Sequence, residues 1–354
     1  MSETTHPADP RIVYLGRFDF SDSGTPRFDW PGTCIQVRLQ GTGCRFLLEE
    51  GPAPNAFLAI IDGVAGKTHT TLPGQVSDIA VDGLDGGPHT IALFKRSESE
   101  NHAVGFKALL LDKGACLLDP PSLPERRIEF IGDSHTAALA VEATDWSKIS
   151  VLSHNAYRSY ACITARHFSA DIHLCAASGK GLVHNHSDPL SRSLLPIPVL
   201  YERTLVSSNQ SPWDFSRWIP RIVVLNIGTN DFAERFEMLA DPRKTIAEER
   251  FFIERYHSLL DQLRSRYPGV AIVLMGPFDP CGGKEFAQNS INAIFEEELR
   301  WQAHDVFFVS YPPCKESDFV CCHPAPAYHE RIAASLVKCI NEEKLWERLK
   351  QRLG

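Results

Sequence analysis

The chain has 354 residues, and at roughly 100 to 200 residues per domain it is long enough for two domains. Hydrophobic residues make up 43% and charged ones 23%, proportions that exclude a disordered, collagen-like or coiled-coil chain. Acidic residues outnumber basic ones 44 to 36, and a formal charge of −8 with no Lys/Arg block makes nucleic acid and anionic membrane unexpected partners.

The opening residues, Met1-Ser2-Glu3-Thr4-Thr5-His6-Pro7, show neither a basic nor an apolar leader segment, and no apolar run approaches 18 residues. A cytoplasmic location is expected. The ten cysteines lack CxxC spacing, which argues against a metal site and predicts free, buried thiols.

Residues 1–120 hold most of the glycines and carry short alternating runs at 12–15, 34–39, 44–48, 57–61 and 89–94. Turn pairs such as Asp62-Gly63, Asp82-Gly83 and Asp85-Gly86 separate them, the pattern of an all-β sandwich that needs no long helix. Three prolines, Pro120, Pro121 and Pro124, make a stiff connector, so a second domain is expected over 125–354.

There the pattern changes. Apolar runs at 127–131, 171–175, 221–226, 270–275 and 306–309 read as five strands, and helical spacing recurs at 134–143, 245–267, 285–303 and 327–349. Strand and helix in alternation predict a five-stranded parallel sheet between two helix layers, a three-layer α/β/α domain. In such a sheet, chemistry collects in the loops beyond the carboxyl ends of the strands.

After the first strand comes Gly132-Asp133-Ser134-His135, placing a hydroxyl where a helix begins. The second strand is followed by Ser178-Gly179-Lys180-Gly181 and the third by Gly228-Thr229-Asn230-Asp231. Each alone is an ordinary turn. Together they bring a hydroxyl nucleophile, a backbone donor and an amide donor to one sheet edge, the parts of an acyl-transfer site with an oxyanion hole. Of the 14 histidines, His323 in His323-Pro324 lies after the fifth strand and before the last long helix, which returns it to that edge as the base.

These four blocks, in this order, resemble those of SGNH, or GDSL-like, hydrolases. With the β-rich first domain, and with Gly16-Arg17-Phe18, Phe28-Asp29-Trp30 and Trp213-Asp214-Phe215, the chain is similar to carbohydrate esterase family 2, whose members place a jelly-roll-like sandwich before the SGNH domain. The resemblance covers roughly residues 11–340. It implies removal of acetyl groups from acetylated saccharides of the xylan or mannan type. Ser134 would be the nucleophile and His323 the base, with an oxyanion hole from the Ser134 and Gly179 N–H groups and the Asn230 side chain. It implies no metal and no organic cofactor.

Many relatives carry an Asp two or three residues before the histidine; here Val320 and Cys321 stand there. A Ser-His dyad is therefore expected, its imidazole oriented by a backbone carbonyl, with Asp318 the remaining candidate for a third member. Cys321 and Cys322 are expected to be small apolar filling, and Phe278 is a candidate sugar contact in place of the aromatic that precedes the histidine in some relatives. Two alternatives share these residues: an esterase, lipase or thioesterase acting on non-carbohydrate esters, and a glycan-binding protein with a decayed site. The oligomeric state is not legible.

Overall fold

The computed structural model describes residues 3–186, 188, 193–233, 242–276 and 284–352. Among the described residues, eleven strands precede Arg127, all paired antiparallel, in two sheets. One runs β1 (Glu3–Thr5), β10 (Val104–Leu111), β5 (Cys44–Glu49), β8 (Val76–Val81), with β3 (Arg27–Phe28) also on β10. The other runs β11 (Cys116–Leu117), β4 (Cys34–Gln40), β9 (Pro88–Lys95), β6 (Ala56–Ile61), β7 (Val64–Thr70), with β2 (Val13–Leu15) on β4. Alternation decides which side chains face inward. Ile35, Val37 and Leu39 of β4 are buried against Phe46 and Leu48 of β5 and Phe106 and Leu109 of β10, forming the sandwich core. The expected runs are strands. The short β1, β3 and β11 and the longer β7, β8 and β10 have no counterpart among those runs, β7 because its exposed pattern carries no apolar period.

No helix or strand lies between Leu117 and Arg127. Beyond it the sheet order is β13 (Asp171–Ala176), β12 (Arg127–Gly132), β14 (Ile222–Asn226), β15 (Ala271–Gly276), β16 (Val306–Ser310), parallel throughout. Both faces are covered, which is why these strands are continuous apolar runs. Phe130, Val224 and Val273 pack under α2 (Tyr160–His167) and α7 (Pro326–Glu342). Ile131, Val223, Leu225 and Leu274 face α5 (Pro242–Arg266) and α6 (Lys284–Arg300). The other two early helices, α3 (Ile197–Tyr201) and α4 (Thr229–Phe232), are short.

Two expected helices differ. The segment 134–143 is helical only over α1 (Ser134–Ala137), because Ala138 and Ala140 take left-handed φ of 59° and 55°. Tertiary bonds replace the missing turns: Ala140 N–H donates to His154 Nδ1 at 3.1 Å and Glu142 N–H to the Ser153 carbonyl at 3.0 Å. The segment 327–349 breaks at Lys344, φ 49°, into α7 and α8 (Leu345–Arg352).

The sandwich is bound to the α/β unit by buried charge. Arg17 donates to the carbonyls of Tyr201 (2.5 Å) and Arg203 (2.9 Å) and pairs with Glu129 of β12 at 3.2 Å, among the rings of Trp30, Tyr201, Trp213 and Phe215. Asp29 accepts from the N–H groups of Val206 and Ser207, both at 2.9 Å. Arg96 donates to the carbonyls of His154 and Leu152 and pairs with Glu142, fixing the loop that follows α1. No helix among the described residues is long and apolar enough to cross a membrane.

Candidate active site

β12 delivers Ser134 to the carboxyl edge of the sheet through a turn that only glycine permits at 132. A Cβ there would lie 2.1 Å from Thr136 Oγ1 and 2.9 Å from the Asn226 carbonyl. Asp133 caps α1: its Oδ1 accepts from His135 N–H at 3.0 Å. Beneath the turn lies a polar floor. Asn226 Nδ2 donates to the hydroxyls of Tyr311 (2.7 Å), Tyr160 (3.0 Å) and Thr136 (3.3 Å). Tyr160 N–H donates to Nδ1 of buried His329, which places the His329 proton on Nε2.

The loop after β13 carries Gly179 at φ +70°. Asn230, at the start of α4, reaches both neighbouring loops: its Nδ2 donates to Asp133 Oδ2 at 3.2 Å and to the Lys180 carbonyl at 3.0 Å. One amide thus ties together three of the four expected blocks. The next residue, Asp231, does the structural work. Its buried carboxylate accepts from the N–H groups of Leu182 (2.8 Å), Val183 (2.7 Å) and His184 (3.0 Å). Gly181 lets it approach, since a Cβ there would sit 2.5 Å from Asp231 Oδ2. Asp231 closes the Gly228-Thr229-Asn230-Asp231 motif, but its sequence position alone assigns it no role. An acid beside a glycine-rich loop was the available signal.

His323 lies in a two-residue strand, His323–Pro324, hairpinned with Phe319–Val320. The turn between them puts Cys321 and Cys322 at φ 51° and 61°, the two left-handed positions of a tight hairpin. This turn aims the Cys321 carbonyl at His323 Nδ1, 2.6 Å away. A carbonyl only accepts, so Nδ1 carries the proton and Nε2 is left with its lone pair. Burial pushes the His323 pKa down, the Cys321 hydrogen bond opposes this, and His186 adds to the lowering. A neutral imidazole results near neutral pH. α1 packs against the 323–324 strand, and the His135 and His323 rings are 5.6 Å apart, edge to face.

Asp318 is not brought to this imidazole. Its Oδ1 and Oδ2 accept from Arg331 at 3.1 and 2.8 Å, and Oδ2 also accepts from Lys315 N–H at 2.8 Å. Arg331 holds its carboxyl below the usual carboxylate range, ahead of the Lys315 contribution. Cys321 is a free thiol, but Cys322 is disulfide-bonded, contrary to the expectation of free cysteines. Phe278 lies outside the described residues. Among those described, no group of three or more His, Cys, Asp or Glu side chains is arranged to hold a metal ion.

A parallel sheet with a helix-capped serine, an amide-linked loop and a carbonyl-oriented histidine at one edge is the architecture of an SGNH-type hydrolase, and the chain belongs to the GDSL-like lipase/acylhydrolase family, whose model matches residues 130–331. The carbohydrate esterase 2 N-terminal model matches residues 14–121 ahead of it. Among curated proteins, the chain is 32% identical to the cellulase/esterase CelE of Acetivibrio thermocellus over 98% of its own length, which spans 41% of that relative. It is 26% identical to an acetylxylan esterase/glucomannan deacetylase of Cellvibrio japonicus, covering 98% of this chain and 92% of the relative. Among solved structures, a family two carbohydrate esterase from Clostridium thermocellum in complex with cellohexaose superimposes with a TM-score of 0.85 at 32% identity, covering 95% of this chain and 99% of that one.

Proposed function

We propose that the chain is a serine esterase that removes acetyl groups from acetylated saccharides, with a sandwich unit over residues 1–120 and a hydrolase unit over 125–354. Ser134 attacks the acetyl carbonyl while His323 Nε2 takes its proton; the imidazolium then protonates the departing sugar alkoxide, and water resolves the acetyl-serine with His323 again as base. The Ser134 and Gly179 N–H groups and Asn230 Nδ2 receive the oxyanion. Asn230 can do so by releasing Asp133, the longer of its two contacts.

The observation that carries this reading is the 2.6 Å contact from His323 Nδ1 to the Cys321 carbonyl. It performs the orienting half of a triad aspartate's task, fixing the tautomer. It supplies no full negative charge to the imidazolium. The mechanism is therefore a dyad, and Asp318 serves to fold the 315–325 loop.

Acetylxylan and glucomannan are the substrates in the Cellvibrio relative's name, and the solved Clostridium relative holds cellohexaose. Acetylated xylo-, manno- and cello-oligosaccharides are accordingly the substrates to compare, against long-chain esters, with wild type and Ser134→Ala. Ser134-dependent acetate release from the saccharides supports the proposal. Faster turnover of long-chain esters supports a lipase, and saccharide binding without release supports a decayed site.

A further inference from the structure

The sandwich sends one carboxyl into the seam beside the candidate site, and the proposed mechanism does not use it. Glu98 follows the end of β9, is 2% exposed, and neither of its carboxyl oxygens has a hydrogen bond. It lies against Ser178, the residue before Gly179, close enough that the Ser178 hydroxyl and N–H both act on it. The Ser178 hydroxyl is buried and likewise without a partner. Two buried polar groups thus meet across the junction between the units, near enough to act on one another but without a well-formed hydrogen bond. Such a pair costs free energy in the resting protein and persists where a site needs a contact held in reserve.

The neighbouring charges leave this carboxyl unpaired. Lys95 is fully buried, but its Nζ donates to the carbonyls of Ser97 (3.0 Å) and Glu98 (2.7 Å). Asp29, Glu98 and Glu50 act on that ammonium, and Lys95 in turn acts on His154. Burial, the largest cause, pushes the Glu98 pKa up to about 8; Glu100 adds to the rise, whereas Ser178 and Lys95 oppose it.

We propose that Glu98 is a positioning residue for the acyl-transfer site, its buried carboxyl bearing on Ser178 and thereby fixing the Gly179 N–H for the incoming substrate carbonyl. The inference rests on the reading of Gly179 as an oxyanion donor. A carboxylate at the same place would oppose negative charge developing on the substrate oxygen, so turnover falls as Glu98 ionises.

The test compares Glu98→Gln, Glu98→Ala and Ser134→Ala with wild type on 4-nitrophenyl acetate between pH 6 and 9.5, with circular dichroism as the check on folding. Glu98→Ala is expected to lower kcat about 10-fold or more with KM within about 2-fold, a fraction of what a lost oxyanion donor costs. Glu98→Gln, neutral and isosteric, keeps kcat within about 3-fold and lacks the decline centred near pH 8 that wild type shows. Wild-type kcat in folded Glu98→Ala, or the same alkaline decline in Glu98→Gln, overturns the inference. If Glu98→Ala does not fold, the pH profile of Glu98→Gln decides. An inactive Ser134→Ala beside wild-type-like Glu98 variants sinks this inference alone, whereas an active Ser134→Ala sinks the esterase mechanism itself.

Discussion

Asp231→Asn separates a residue that builds the oxyanion loop from one that merely borders it. In the native protein Oδ1 accepts from Val183 and His184 and Oδ2 from Leu182, all within 3.0 Å and buried. The carboxamide keeps one acceptor oxygen and puts an NH₂ group in the place of the other, so one buried N–H faces a donor. Losing one charge-assisted bond is worth about 1.5–3 kcal/mol, and making the remaining two neutral removes part of each. The sum, about 3 kcal/mol, is a large share of the roughly 5–15 kcal/mol that holds a protein folded. Because the displaced segment continues from Gly179, kcat should fall about 10- to 100-fold with KM little changed. Urea unfolding followed by tryptophan fluorescence, alongside 4-nitrophenyl acetate kinetics, measures both effects. A variant within about 0.5 kcal/mol of wild type and within 2-fold in kcat would refute the assignment.

The carbonyl-oriented dyad predicts that Asp318→Asn changes kcat by less than about 3-fold. A loss near the 10⁴-fold seen when a triad aspartate is disabled would restore Asp318 to the mechanism. Burial lowers the His323 pKa, so the acid limb of kcat/KM should have its midpoint below the ordinary histidine value of about 6.5; a midpoint above that contradicts the buried, neutral base. Burial also depresses His135 and His329 to about 3 and His154 to about 4. Their stabilisation is complete above the unfolded value near 6.5 and is lost as pH falls, at about 1.4 kcal/mol per histidine for each pH unit until the folded pKa is reached. Urea midpoints between pH 4 and 7 should show that slope, and a flat profile would contradict it. Arg17→Met leaves Glu129 and two carbonyls without their cation and should cost about 3–5 kcal/mol, readable in the same unfolding assay.

The parallel sheet was legible because strands buried on both faces are unbroken apolar runs, as in Ile222–Asn226. The four loops followed from it, since topology alone carries strand ends to one edge. Failures came where distant groups decide local structure. The helix expected over 134–143 stops at Ala137 because His154 and Ser153 offer the following backbone other partners, which no local pattern encodes. Asp318 invited a catalytic role by proximity in sequence, but Arg331, on the succeeding helix, claims its carboxylate. Glu98 lies 80 positions before Ser178, and only the packing of the sandwich on the α/β unit brings them together.

The mechanism requires an acetyl group carried on Ser134, and trapping that intermediate shows whether it forms. Wild type and Ser134→Ala would be mixed with 4-nitrophenyl acetate, acid-quenched during turnover, digested and mapped by mass spectrometry. Acetyl on Ser134 in wild type, with neither the adduct nor acetate release in Ser134→Ala, is the predicted result. Acetyl on another side chain, or continued release by Ser134→Ala, would contradict it.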